Sequence, residues 1–369
     1  MKELREILRK IESLNNKQIA VLATVVDVKG SSYRLPGARM LICEDGSTYG
    51  TVSGGCLEAD VLEHANSVLK TGEPQVFVYD TSKQPDSVFS LNMGCRGIIK
   101  VLLEPLANDE FFHYLAHPIK NNKAVSIATL IESDGKLPVG AHAIFDETGC
   151  IFTDFEPEIR NSVYNLARRN YLDKFDEVIV TDDGLVFVEY IKPPLQLYIF
   201  GAGADAVPVA EIASSQGWRV TVVDHREAFA TAERFNVSVE ILVMHPEEFM
   251  PQTEVNTDIA YVLMTHNFQH DKIFLRAVLG TRTRYIGCLG PKRRFENIIE
   301  EFAEAGFKFS QEDLNSVYSP IGLDIGADSP EAIALAIVAE INAVFSNRSG
   351  GFLRGRNGSI YNRNRILSL

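Results

Sequence analysis

The chain has 369 residues, 46% of them hydrophobic, with a mean hydropathy near zero; this is the composition of a soluble globular protein too long for one ordinary core. A formal net charge of −13 argues against broad binding to nucleic acid or to an anionic membrane, whose phosphates would repel it. No apolar run reaches the length of a membrane span, and the N-terminus lacks the apolar core of a signal peptide. The five cysteines form no CxxC pair, which fits the reducing cytoplasm rather than a disulfide framework or a zinc ribbon.

In chain order, Leu4, Ile7, Leu8, Ile11 and Leu14 recur at helical spacing among charges and predict an amphipathic helix. Residues 19–28 form a β-rich run, followed by the loop Gly30-Ser31-Ser32-Tyr33-Arg34 and then by two strands joined at Asp45-Gly46, a hairpin turn. A glycine-rich turn over residues 50–56 precedes a helix that runs from near Leu57 to Lys70. Strands are expected at 76–80 and 97–105, with Cys95 and Arg96 in the loop between them. Residues 1–108 thus read as an α/β domain, and 109–194 as a hairpin-rich extension of it with turns at Asp134-Gly135 and Asp183-Gly184 and one helix from about Pro157 to Leu172.

Lys192-Pro193-Pro194 marks a boundary, since proline removes ladder donors and extends the residue before it. Residues 195–346 alternate strand and helix, which implies a doubly wound parallel sheet with helices on both faces. The last helix has Ser329 as its expected N-cap and Pro330 at its first position. Residues 347–369 carry Arg348, Arg354, Arg356, Arg363 and Arg365 without an acid, a basic tail that is either disordered or docked on a second protomer.

Several loops carry candidate chemistry. Ser53, Gly54 and Gly55 turn backbone N–H groups outward beside a helix N-terminus, a geometry suited to an anion or to the thiolate of Cys56. The alternative is a tight connection whose cysteine packs as a small hydrophobe. The Gly30–Arg34 loop adds hydroxyls, backbone donors and a guanidinium suited to planar oxyanions.

In the second half, Gly201-Ala202-Gly203-Ala204-Asp205-Ala206 follows a strand and opens a helix, matching the GxGxxA dinucleotide fingerprint. Asp224 ends the next strand, where a carboxylate accepts ribose hydroxyls, whereas Arg226 beside it suits a 2′-phosphate. NAD and NADP therefore both stay open, as does a fold that binds another nucleotide or nothing. His266 and His270 lie four apart past the next strand, with Asp271 as a third donor for a metal. The competing expectations are a ligand-facing polar loop, or a hydrogen-bonded loop with Asp271 capping the following helix. Gly290-Pro291-Lys292-Arg293-Arg294 repeats the pattern of donors and positive charge, either for an anion or as a solvated first turn. There is no GxSxG elbow, HExxH or Walker loop, so binding loops are more evident than turnover machinery.

Taken together, GSSYRLPGARM, GTVSGGCLEADV, NMGCRG, LYIFGAGADAVP, VVDHR, MTHNFQHD, YIGCLGPKRR and SPIGLDIGADSPEAIALAIVAEI resemble the XdhC/CoxI family along nearly the whole chain. The sequence departs from the family pattern at Tyr33, at Ala204-Asp205 and at Arg96. The resemblance implies an N-terminal XdhC/CoxI domain, a Rossmann-like C-terminal domain, and receipt of molybdenum cofactor in its molybdopterin form for delivery to xanthine dehydrogenase or a related molybdenum hydroxylase. It implies that Cys56 and Cys95 approach the molybdenum or dithiolene end of the cofactor. Gly30, Ser31, Ser32, Arg34, Ser53, Gly54 and Gly55 would hold its polar groups, with Glu58 and the helix N-terminus as support. A cysteine desulfurase and a second copy of the chain, as a homodimer, are further expected partners. The alternatives are an NAD(P)-dependent oxidoreductase that uses the Gly201 loop with substrate near His266, and a scaffold protein with an empty Rossmann domain.

Overall fold

The computed structural model describes residues 2–14, 19–80, 97–106, 110–155, 157–182, 184–235, 238–251 and 258–357. Cys95 and Arg96, and with them Arg363 and Arg365 of the basic tail, lie outside the described residues. The chain divides into two compact units at Pro193-Pro194.

The first unit begins with α1 (Lys2–Ser13), whose apolar stripe buries Leu4, Ile7 and Leu8 at roughly 1.5–3 kcal/mol each. Strands β1 (Ala20–Gly30), β2 (Arg39–Cys43) and β3 (Thr48–Gly50) are followed by α2 (Glu58–Thr71), β4 (Gln75–Asp80) and β5 (Gly97–Leu106). They form one antiparallel sheet in the order β3-β2-β1-β5-β4. After α3 (Glu110–Lys120) come β6 (Val125–Ser133), β7 (His142–Asp146), β8 (Gly149–Thr153), α4 (Pro157–Asp173), β9 (Glu177–Thr181) and β10 (Gly184–Ile191). These strands build a second antiparallel sheet, β8-β7-β6-β10-β9. Both hairpins expected in residues 109–194 are present, β6 pairing with β7 and β9 with β10.

Alternation along the strands explains the layering. Val21, Ala23, Val25, Met40 and Ile42 pack under α2, whereas Ala128, Leu130, Ala143, Val186 and Val188 face α4. The opposite faces of the two sheets meet through Leu22, Leu41, Ile127 and Ile144, and through Val26, Leu102, Ile131 and Phe187. A buried ion pair, Arg39 with Glu189, crosses this layer, and beside it His142 Nε2 lies 2.7 Å from Glu104 Oε1. Removing one partner of such a pair costs about 3–5 kcal/mol. Helix α3, which the sequence reading does not anticipate, buries Phe111, Phe112, Leu115 and Ile119 despite carrying Pro118, whose breaker character hides the helical spacing.

The second unit is a parallel sheet with helices on both faces. It contains β11 (Gln196–Phe200), α5 (Ala206–Ser215), β12 (Arg219–Asp224), β13 (Val239–Val243), β14 (Ile259–Leu263), α6 (Phe268–Val278), β15 (Tyr285–Cys288), α7 (Lys292–Glu304), α8 (Gln311–Asn315), β16 (Val317–Tyr318) and α9 (Pro330–Phe345). The strand order is β13-β12-β11-β14-β15-β16, the doubly wound order of a Rossmann fold, with its switch point between β11 and β14. Leu197, Ile199, Val220 and Val222 face α5 and α9, whereas Phe200, Val223 and Tyr261 face Phe274 of α6 and Ile298 and Phe302 of α7. Ser329 caps α9 by accepting the Ala332 N–H. Among the described residues, no helix is long and apolar enough to cross a membrane.

Candidate functional site

In the first unit the turn between β3 and α2 is fastened from within. Ser53 Oγ accepts the N–H groups of Cys56 (3.1 Å) and Leu57 (3.0 Å), and its hydroxyl donates to Glu58 Oε2. Glu58 Oε1 accepts the Ser53 N–H at 2.9 Å and the Thr51 hydroxyl. Burial alone would raise the Glu58 carboxyl, but these donors outweigh it and hold the group below the ordinary glutamate value. Helix α2 starts at Glu58, without a side-chain cap on its first N–H groups.

The polar groups of Ser53 and Glu58 are thereby spent on the turn itself, and Gly54, Gly55 and the Cys56 thiol are left at the surface. Gly55 has φ 103°, and a Cβ there would meet nothing within 4 Å. The Tyr33 ring lies against Gly54, where a Cβ would fall 3.2 Å from it. Glu3 of α1, unnoticed in the sequence, ties the two loops together by accepting the Thr51 N–H at 3.0 Å and pairing with Arg34. The Gly30–Arg34 loop and the Ser53–Cys56 turn are thus brought together, with Gly30, Ser31 and Tyr33 exposed and Ser32 partly so.

In the second unit, Gly201 is fixed by backbone approach: at φ 108°, a Cβ would stand 2.5 Å from the Met264 carbonyl oxygen. Gly203 is not, since a Cβ there would meet only the His266 ring, at 3.8 Å. Ala206 is fully buried. His266 itself adopts a left-handed φ of 57°, uncommon for a side chain with a Cβ, and its Nε2 lies 3.3 Å from Asp205 Oδ2.

Asp224 accepts the Ala202 N–H (2.7 Å), the Arg226 N–H (2.9 Å) and two guanidinium bonds from Arg226 (2.9 and 2.7 Å). Burial would raise this carboxyl, but Arg226 and the Ala202 N–H more than offset it and bring it down to about 2. Arg234 donates to the Ala202 carbonyl at 2.7 Å and, with Arg226, lies against the Phe229 ring.

The three residues considered for a metal do not converge. His266 faces Asp205, the His270 ring packs edge-on against His225 with centroids 4.8 Å apart, and Asp271 is buried. Asp271 accepts the Thr265 hydroxyl (2.6 Å) and pairs with Arg294 (2.7 Å), bracing α6 against α7. No group of three His, Cys, Asp or Glu among the described residues is arranged to hold a metal. The cap of α6 is Asn267, which accepts the N–H groups of Gln269 and His270, rather than Asp271, which points back under the loop. Arg294 of the Gly290–Arg294 loop is likewise turned inward, onto Asp271.

Asp224, His225, Arg226, Thr265, Asn267 and His270 border a cleft of about 210 Å³ at the carboxyl edge of this sheet, floored by Val223 and Phe274. His225 also lies 5.4 Å, centroid to centroid, from His245. Motif and spacing do not single out His225 and His245. Each follows the carboxyl end of a strand, the β12 and β13 ends respectively, and in a 3-2-1-4 sheet those ends are neighbours; that is the signal by which they could be found.

The family model for the XdhC and CoxI family matches residues 13–80, and that for the XdhC Rossmann domain matches residues 197–341. A protein of Bacillus subtilis named as a probable xanthine dehydrogenase subunit is 31% identical over 330 residues, 89% of this chain and 94% of its own length. The chain belongs to the XdhC and CoxI family. The molybdenum cofactor insertion chaperone PaoD of Escherichia coli is 25% identical over 341 residues, covering 92% of this chain and 88% of its own. A crystal structure of a xanthine dehydrogenase from Bacillus halodurans superposes with a TM-score of 0.76 at 31% identity, covering 95% of this chain and 97% of that one. The XdhC Rossmann match coincides with the second unit, so the glycine turn and the cleft are parts of a recognised XdhC domain.

Proposed function

We propose that this protein binds molybdenum cofactor and delivers it to a xanthine dehydrogenase-type molybdenum hydroxylase. The observation that carries the reading is the end-to-end likeness to a protein named a molybdenum cofactor insertion chaperone, together with the solvent-facing Cys56 on the fastened turn. A carrier has to hold a pterin, a phosphate and a soft metal–dithiolene centre without reacting with them. A surface thiol suits the soft centre, and the neighbouring Gly55, with open space where a Cβ would stand, lets a ligand approach the backbone closely. Tyr33 offers a ring face for a planar pterin, and Ser31 and Ser32 offer hydroxyls.

In this proposal Cys56 contacts the cofactor, and Ser53 and Glu58 keep the turn in shape without touching the cargo. Arg34 holds the neighbouring loop through Glu3. The protein acts in the cytoplasm as a homodimer, and a cysteine desulfurase is its second partner. The oxidoreductase alternative has the glycine turn and the strand order in its favour, but the carboxylate that it needs for the ribose is already held by Arg226.

Native mass spectrometry of the protein purified from a molybdenum-replete host tests the reading. The expected result is a bound mass equal to the cofactor, at a reproducible stoichiometry per chain and absent when the host is starved of molybdate. A nicotinamide nucleotide in its place would overturn it.

A further inference from the structure

In an ordinary dinucleotide fold, the acid ending the second strand accepts the ribose hydroxyls, and the glycine-turn N–H groups face the pyrophosphate. Here the first seat is filled by the chain itself, and the second has a carboxylate of the chain beside it. Asp224 accepts four hydrogen bonds, from the Ala202 N–H, the Arg226 N–H and two atoms of the Arg226 guanidinium. Four bonds fill the acceptor sites of a carboxylate, so a neutral diol has to displace a two-pronged guanidinium to gain a place. At the turn, Asp205 sets a carboxylate at the start of α5, paired with His266, and a pyrophosphate there would meet like charge at close range.

The rest of the cleft has the opposite character. The Arg226 guanidinium binds Asp224 through Nε and Nη2, which leaves Nη1 clear of that carboxylate, and its plane is steadied by the Phe229 ring 4.2 Å away. His225 and His270 meet edge to face on the same cleft, and His245 packs against His225. Among the described residues that line the cleft, the one acid is Asp224, and Arg226 neutralises it. A guanidinium with a free edge, beside imidazoles that can donate hydrogen bonds, is the equipment for a compact dianion.

We propose that this cleft binds a phosphate monoester carried on an organic ligand and refuses the unphosphorylated ribose diol. Two carriers share that chemistry: a nucleotide with a 2′-phosphate, and a pterin with a terminal phosphate such as the cofactor cargo bears. Phosphate selectivity at this cleft goes beyond cofactor delivery and is tested separately from it.

The test is calorimetric titration of the full-length protein at fixed ionic strength with NADP⁺, NAD⁺, a pterin phosphate and inorganic phosphate. At least one of NADP⁺ and the pterin phosphate is expected to bind about tenfold or more tightly than NAD⁺, the ratio that one charge-assisted contact supplies, and inorganic phosphate should compete with it. Whichever binds identifies the carrier. Arg226→Gln removes the cation and also frees Asp224, so it should cost the phosphorylated probe at least tenfold while NAD⁺ binding improves. His270→Asn, on α6 at the edge of the same cleft, should weaken the phosphorylated probe alone. Equal affinities for NADP⁺ and NAD⁺ with no binding of the pterin phosphate, or affinities unmoved by both variants, would overturn the proposal. Failure of client activation by a protein that still discriminates phosphate would count against delivery and leave this proposal standing.

Discussion

Two glycine turns, each leading from a strand into a helix, put their glycines to opposite uses. At Ser53–Glu58 the serine and the glutamate consume each other's hydrogen bonds and the N–H groups of Cys56 and Leu57, so the turn is rigid and its glycines and thiol face solvent. At Gly201–Ala206 the first glycine is pressed against the end of β14, and the surrounding polar groups are held by the chain, Asp205 by His266 of another loop and Asp224 by Arg226 of its own. A glycine turn therefore announces close backbone approach. Whether that approach is to a ligand or to the protein's own chain depends on the partners of the polar residues around it.

The largest contrast is expected at the glycines themselves. Gly201→Ala forces a Cβ into the Met264 carbonyl at a positive φ and should cost about 4 kcal/mol or more, whereas Gly55→Ala meets open space and should cost about 1–2 kcal/mol of left-handed strain. Urea unfolding of the two variants measures the difference, and equal losses would erase the contrast.

The acids come next. Asp224→Ala leaves a buried N–H and a guanidinium without their acceptor and should destabilise the second unit by about 2–4 kcal/mol. Glu58→Ala should cost the first unit about 1–2 kcal/mol and, by loosening the turn, speed alkylation of Cys56 by iodoacetamide. An unchanged alkylation rate would mean that the turn keeps its shape without Glu58.

The smallest difference is one of pH. Asp176, half-buried, is pushed up to about 6 by desolvation and by the nearby Glu189, despite the Tyr190 N–H and Arg39. Between pH 4 and pH 6 the folded state then holds a proton that the unfolded chain has released, so this group's contribution to stability declines as the pH rises through that window. Asp224 has the opposite sign: its brace is complete above the ordinary aspartate range and is lost as the pH falls toward 2. Asp176→Asn should therefore gain about 1–2 kcal/mol relative to wild type on going from pH 4 to pH 7.5, as read by denaturant melts at each pH. A parallel pH profile for wild type and variant would refute the assignment.

The period-two runs and the turn dipeptides make both antiparallel sheets legible, and alternation after Pro194 makes the parallel sheet legible, because those signals are local. Helix α3 is hidden by Pro118. The clasp of Glu3 on Arg34 and Thr51 joins residues far apart in sequence, and no spacing rule reaches that far. At the candidate sites the residue types are readable but their partners are not. Asp224 reads as a ribose acceptor and Asp271 as a metal ligand because nothing in the sequence says that Arg226 and Arg294 fold back onto them. The His225–His270 contact requires knowing that the β12 and β14 ends flank β11.

The central claim is tested most directly by transfer. Protein loaded with molybdenum cofactor is mixed with a cofactor-free molybdenum hydroxylase in the absence of any other cofactor source, and hydroxylase activity is followed alongside the mass of the carrier. Activity is expected to appear as bound mass leaves the carrier, and Cys56→Ser to lower the amount of cofactor carried without lowering the stability of the fold. Activation that proceeds equally well with unloaded protein, or a carrier that never holds the cofactor, would contradict it.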